Sequence, residues 1–119
     1  MKEGDYAEIT RRFSAKDAAA YVVLGGAPLP PGELPEPLIG ALFSYLLGVR
    51  LPGMGTNYLK QESCYRQPAR IGEPLTARVE ITRLRPEKHL VDLATICRNA
   101  AGEIICDGRA LVYVGDVGK

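Results

Sequence analysis

The sequence predicts an α+β domain in which a curved antiparallel sheet wraps one buried central helix. Three observations carry that expectation. The segment Leu38 to Gly48, LIGALFSYLLG, is almost free of polar groups on every side; the last third of the chain alternates apolar and polar residues with period two; and five prolines between Gly25 and Pro37 separate this helix from the one before it. A helix apolar all round needs cover all round, and alternating strands supply it.

The elements follow in order. Tyr6 to Phe13 reads as a first strand. Ser14 then offers an N-cap whose hydroxyl can accept an orphan amide while Asp17, three residues on, answers it, so a helix starts there and runs to Leu24, stopping at Gly25-Gly26. The segment Gly25 to Pro37, GGAPLPPGELPEP, is expected to be an extended connector, because proline fixes φ and removes a donor. In the central helix Leu38, Leu42 and Tyr45 share one face, Ile39, Phe43 and Leu46 another, and Gly48 is the expected stop.

Beyond it, Leu75, Ala77, Val79 and Ile81 point one way and Thr76, Arg78, Glu80 and Thr82 the other, the pattern of a half-buried antiparallel strand. Arg83 to Lys88 is a turn, Leu90 to Arg98 and Glu103 to Tyr113 are further strands, and Asn99-Ala100-Ala101-Gly102 closes the last two into a hairpin. A single sheet of five or six short strands covers only one side of the helix. The side left open predicts a dimer or larger assembly.

Composition narrows function by exclusion. At 119 residues the chain fits one domain over its whole length. Its 15 basic and 14 acidic residues nearly cancel, which leaves no electrostatic footprint for nucleic acid or an anionic membrane. The uncharged run Pro37 to Val49 is 13 residues, short of a span of roughly 20, and no leader-like apolar segment opens the chain, so a cytoplasmic location is expected. Cys64, Cys97 and Cys106 are odd in number and widely spaced, and read as reduced structural thiols.

Taken in order, YAEITRRFSAKDAAAYVVL followed by LIGALFSYLLGVRLPGMGTNYLKQESCYRQPARIGEPLTARVEITRLRPEK resembles the MaoC-like, R-specific enoyl-CoA hydratase family of hot-dog proteins. The most specific piece is Leu47 to Leu59 with Pro68, Gly72 and Glu73: a Leu-Pro-Gly-x-Gly turn, a strand with Tyr, and a P-x-x-x-G-(D/E) lead into the next strand. The resemblance implies a dimer joining two sheets edge to edge, with an acyl-thioester tunnel between subunits beside the central helix. It also implies water addition to a trans-2-enoyl thioester by an Asp and a His from the loop after the first helix, with a backbone amide at the start of the central helix holding the enolate oxygen. This sequence departs from that pattern, since no Asp or His lies between Asp17 and His89.

The remaining candidates follow from position. Glu33 and Glu36 are the ionisable groups of the connector. Glu36, at the helix start where the family's oxyanion-hole glycine would sit, reads either as a cap or as a carboxylate that activates water or attacks a thioester carbonyl. The resemblance gives Ser44 a hydrogen-bonding role in the tunnel; a back-bond to the Gly40 carbonyl is the alternative. Gly53 and Gly55 allow a close backbone approach, and Thr56 and Tyr58 begin a strand along which an acyl chain would lie; a plain structural turn is the alternative. Arg50, Lys60, Arg66 and Arg70 are candidate partners for coenzyme A phosphates, or simply solvated charges.

His89, the lone histidine, follows Arg85-Pro86-Glu87-Lys88 and reads as a solvated residue at a strand edge. No metal and no cofactor is expected beyond coenzyme A as part of the substrate. The expected partner is an acyl-CoA or an acyl-carrier-protein thioester. The readings left open are an acyl-thioester binder, an R-specific hydratase or dehydratase, a Glu-dependent thioesterase, and a structural subunit paired with a catalytic hot-dog chain.

Overall fold

A computed structural model describes residues 1–23 and 32–115. The elements are β1 (Tyr6–Arg11), α1 (Ala15–Val23), α2 (Glu36–Tyr45) continued by a π-helical turn (Leu46–Arg50), β2 (Thr56–Tyr65), β3 (Leu75–Arg85), a 3-10 turn (Pro86–Lys88), β4 (Leu90–Arg98) and β5 (Ile104–Val114). All pairings are antiparallel, in one five-stranded sheet ordered β1-β3-β4-β5-β2. The expected helix stop at Gly25-Gly26 and the connector as far as residue 31 lie outside the described residues.

The sheet curves around α2. Leu75, Ala77, Val79 and Ile81 of β3 are buried, as are Val91, Leu93, Thr95 and Cys97 of β4 and Ala110, Val112 and Val114 of β5. They close on Ile39, Leu42 and Phe43 of α2 and Leu46 and Leu47 of the π turn. Phe43 is completely enclosed, and burying a side chain of that size stabilises the fold by roughly 1.5–3 kcal/mol. The period-two reading of β3 holds over its buried half, and the Asn99–Gly102 turn closes β4 on β5 through Asn99 N–H to the Glu103 carbonyl at 3.0 Å, with Gly102 at φ 83°. The capping box also forms: the Ser14 amide donates to Asp17 Oδ2 at 2.7 Å and the Asp17 amide to Ser14 Oγ at 3.2 Å.

Several boundaries differ from expectation. The first strand ends at Arg11 and not Phe13, β5 starts at Ile104, and β3 runs on to Arg85, so the turn shrinks to Pro86–Lys88. The central helix starts at Glu36, because proline is tolerated in a first helical turn and Pro37 sits there without breaking it. It does not stop at Gly48. Gly48 lies inside the π turn, which closes when the Leu51 amide reaches the Leu46 carbonyl at 2.8 Å and the Gly53 amide the Leu47 carbonyl at 2.9 Å, so the left-handed glycine beyond the helix end is Gly53, at φ 93°, and not Gly48.

As expected of a helix under a single sheet, one side of α2 and its π turn stays open: Ala41, Ser44 and Val49 are exposed, and Tyr45 is 41% exposed. The neighbouring strand β2 is exposed along almost its whole length, with Tyr58 and Leu59 at 41% and 56%.

Candidate functional site

The described residues form a cleft of about 420 Å³ where α2 begins. Two backbone connections build it. The Leu34 amide donates to the Ala69 carbonyl at 2.9 Å and the Ile71 amide to the Gly32 carbonyl at 2.9 Å, with Glu33 and Arg70 in an isolated bridge between them. The Arg66 amide donates to the Ile105 carbonyl at 2.8 Å, which fixes the end of β2. Leu34, Pro35 and Ile39 supply apolar wall, and Glu33, Glu36, Tyr65, Arg66 and Gln67 supply the polar groups.

Glu36 is the first residue of α2 and is exposed. A carboxylate there faces the partial positive charge of the helix start, although the N-cap is Pro35 and makes no side-chain cap bond. Tyr65 comes from the far end of β2, and its hydroxyl donates to the Glu36 carbonyl at 3.2 Å. Burial, reinforced by the neighbouring Cys106 and Glu36, pushes the Tyr65 phenol up to about 12, so it is a neutral proton donor at any ordinary pH. Arg66 commits Nε and one terminal nitrogen to Asp107 at 3.1 and 3.0 Å, and the Gln67 amide donates to the Ile104 carbonyl at 3.2 Å.

A second polar spot lies on the open face of α2. Ser44 Oγ and Tyr58 hydroxyl approach to 3.4 Å, either able to donate, which joins two residues that the sequence placed in the ligand tunnel. Partial burial raises the Tyr58 phenol, with the Ser44 bond acting in the opposite direction. Gly53 and Gly55 take φ of 93° and 88°, so the turn before β2 needs glycine at both places. Thr56 begins β2 as expected, its Oγ1 buried.

The candidate phosphate ligands are not gathered together. Lys60 pairs with Glu62 at 3.0 Å, Arg50 lies 5.7 Å over the Tyr45 ring, Arg70 bridges to Glu33 through its backbone, and of the four only Arg66 lines the cleft. His89 is exposed, left-handed at φ 56°, with Nδ1 2.9 Å from the Gly115 carbonyl, and it does not line the cleft. Among the described residues no three metal-binding side chains cluster, and no helix is long and apolar enough to cross a membrane.

The sequence points to Glu33 and Glu36 but not to Tyr65 and Gln67, which approach them from 29 or more residues away. The available signal is a tyrosine at a strand end beside the Pro68 of the motif.

One helix held in the curve of a five-stranded antiparallel sheet, with a cleft at the helix start, defines a hot-dog protein. No family model matches the chain. It is 32% identical to the (R)-specific enoyl-CoA hydratase of Aeromonas caviae over 126 aligned positions, covering 94% of both chains, and 42% identical to that of Rhodospirillum rubrum over 65% of this chain and 53% of the other. The solved structure of the (R)-hydratase from A. caviae superposes with a TM-score of 0.91 at 30% identity, over 96% of this chain and 97% of that one. The chain belongs to the MaoC-like, R-specific enoyl-CoA hydratase family.

Proposed function

We propose that this chain binds an acyl thioester of coenzyme A or acyl carrier protein, with the acyl end in the cleft at the start of α2, and that its turnover of enoyl thioesters is weak or absent. The observation that carries this reading is the cleft itself, a partly apolar recess at the helix start, in a chain related along 94% of its length to an enoyl-CoA hydratase. With no Asp or His between Asp17 and His89, the water-activating pair that the family resemblance implies has no side chains to use there. The exposed side of α2 and the bare edge strand β2 support a homodimer or larger assembly, with a hot-dog partner chain as the alternative.

A second reading is favoured by the place of Glu36 beside Tyr65 in the cleft. In an active lyase the Glu36 carboxylate would take a proton from water as the water oxygen bonds to C3 of the enoyl thioester. The C2–C3 π electrons would move to the carbonyl oxygen, and the resulting enolate would regain a proton at C2 from the carboxylic acid. The test is hydration of crotonyl-CoA by the purified protein, followed at the enoyl-thioester absorbance, alongside calorimetric titration with butyryl-CoA. Binding without turnover supports the first reading. Turnover lost in Glu36→Gln or Glu33→Gln supports the second, and free thiol released from acyl-CoA would indicate a thioesterase. Neither binding nor turnover would sink all three.

A further inference from the structure

We propose that Tyr65 is the side-chain donor that holds the thioester carbonyl of the bound ligand; this rests on the acyl-thioester reading of the cleft. A thioester carbonyl only accepts hydrogen bonds, so a polar cleft that seats one must offer a donor. The cleft's side chains leave few choices. Glu33 and Glu36 as carboxylates only accept. Gln67 spends an amide hydrogen on the Ile104 carbonyl, and Arg66 is turned toward Asp107 by two of its nitrogens.

Tyr65 differs in two respects. Its hydroxyl sits 3.2 Å from the Glu36 carbonyl oxygen, long for an O–H···O bond, whose usual separation is about 2.7–2.8 Å, so the bond is weak and exchangeable. The acceptor also loses little when the phenol turns away, because a carbonyl in the first turn of α2 receives the helical amide four residues on, that of Gly40. A carbonyl arriving in the cleft can therefore replace Glu36 as the partner of Tyr65 without leaving a buried group unsatisfied.

The backbone competitor at this helix start is the Glu36 amide, since Pro37 has none and the Leu38 amide already donates to the Pro35 carbonyl at 3.1 Å. A carbonyl oxygen has two lone pairs, so that amide and the Tyr65 hydroxyl can serve it together. The chemistry of the phenol also suits this role. It is half-buried and stays protonated, so it can donate to a neutral carbonyl and more strongly to the enolate oxygen that any chemistry at C2 would create.

Tyr65→Phe removes the hydroxyl and keeps the ring. The experiment titrates wild type and Tyr65→Phe with butyryl-CoA and with free coenzyme A, and records the infrared stretch of butyryl-CoA isotope-labelled at the thioester carbonyl. The expected result is a butyryl-CoA affinity lower by roughly three- to tenfold with free coenzyme A unaffected. In addition, the stretch should be lowered on binding to wild type and return toward its solution position in Tyr65→Phe. Equal affinity and an unchanged bound stretch in the variant would overturn the proposal while leaving the acyl-thioester reading intact. So would loss of the shift in Arg66→Gln and not in Tyr65→Phe. A wild type that does not bind butyryl-CoA overturns both.

Discussion

Replacing Gly108 by alanine should loosen β2 from the sheet. Gly108 pairs with Ser63 across β5 and β2, and a Cβ built on it runs into the Glu62 carbonyl oxygen, with the carbonyl carbon at 2.8 Å and the Ser63 Cα at 2.9 Å. Ordinary contacts begin at 3.4 Å, so β2 must retreat by more than half an ångström, and the obstacle is backbone that cannot rotate aside. Overpacking of this kind costs ~1–3 kcal/mol, and each ladder bond weakened beside it adds about 1 kcal/mol. The sum is about 2–4 kcal/mol, a large share of a net stability of roughly 5–15 kcal/mol. At about 4 °C per kcal/mol the midpoint of thermal unfolding, followed by circular dichroism, should fall by roughly 8–16 °C. Gly48→Ala is the control: nothing lies within 4 Å of its Cβ and its φ is not positive, so stability should hold or rise by about 0.5–1 kcal/mol. A Gly108→Ala melting point within ~2 °C of wild type would refute the packing argument.

Two further predictions concern titratable groups. Cys64 is exposed while Cys97 and Cys106 are buried, and burial, with lesser help from Cys106 and Glu73, pushes the Cys97 thiol up to about 12. A thiol reagent at mildly alkaline pH should therefore label one cysteine in the native protein and all three in urea. Since the folded value lies above the ordinary 9.0, the stabilising contribution is complete below 9.0 and is lost as the pH rises toward about 12. Asp17 works in the opposite sense. Its carboxyl is lowered from 3.8, chiefly by the Ser14 amide, so its contribution to α1 is complete above the ordinary carboxylate range and lost as the pH falls through the lowered value. Asp17→Asn should remove that part of the acid unfolding curve, as read by circular dichroism; an unaltered curve would show that the capping box carries no pH dependence.

The parts of this protein that are legible in the sequence are those whose signal is local. The alternation of β3, β4 and the second half of β5 and the Ser14–Asp17 box each announce themselves within a few residues, and the structure shows both. The helix end is not legible in the same way: Gly48 looks like a left-handed cap, whereas the end is closed further on, by backbone bonds from Leu51 and from the left-handed Gly53. The cleft is half legible. Glu33 and Glu36 stand out as charges in an uncharged stretch, but Tyr65 meets Glu36 only through folding, and no spacing rule connects residues 29 apart in different elements. The cations suffer from the same blindness: nothing near Arg66 in sequence marks its partner, and only the pairing of β2 with β5 brings Asp107 to it across 41 residues.

The strand order β1-β3-β4-β5-β2 puts the two strands made first on opposite rims of the sheet, around a meander of three consecutive neighbours. Closing the meander costs little chain entropy, since Arg85 meets Leu90 across a tight turn. Seating the rims costs more, since Thr56 must find Val114 and Tyr6 must find Glu80. The cleft takes one wall from the end of β2 and the other from α2, so it exists only once the long closures are complete. A ligand held between those walls therefore acts as a clasp on a rim that only a long closure seats, and its binding free energy adds directly to the cohesion of that rim.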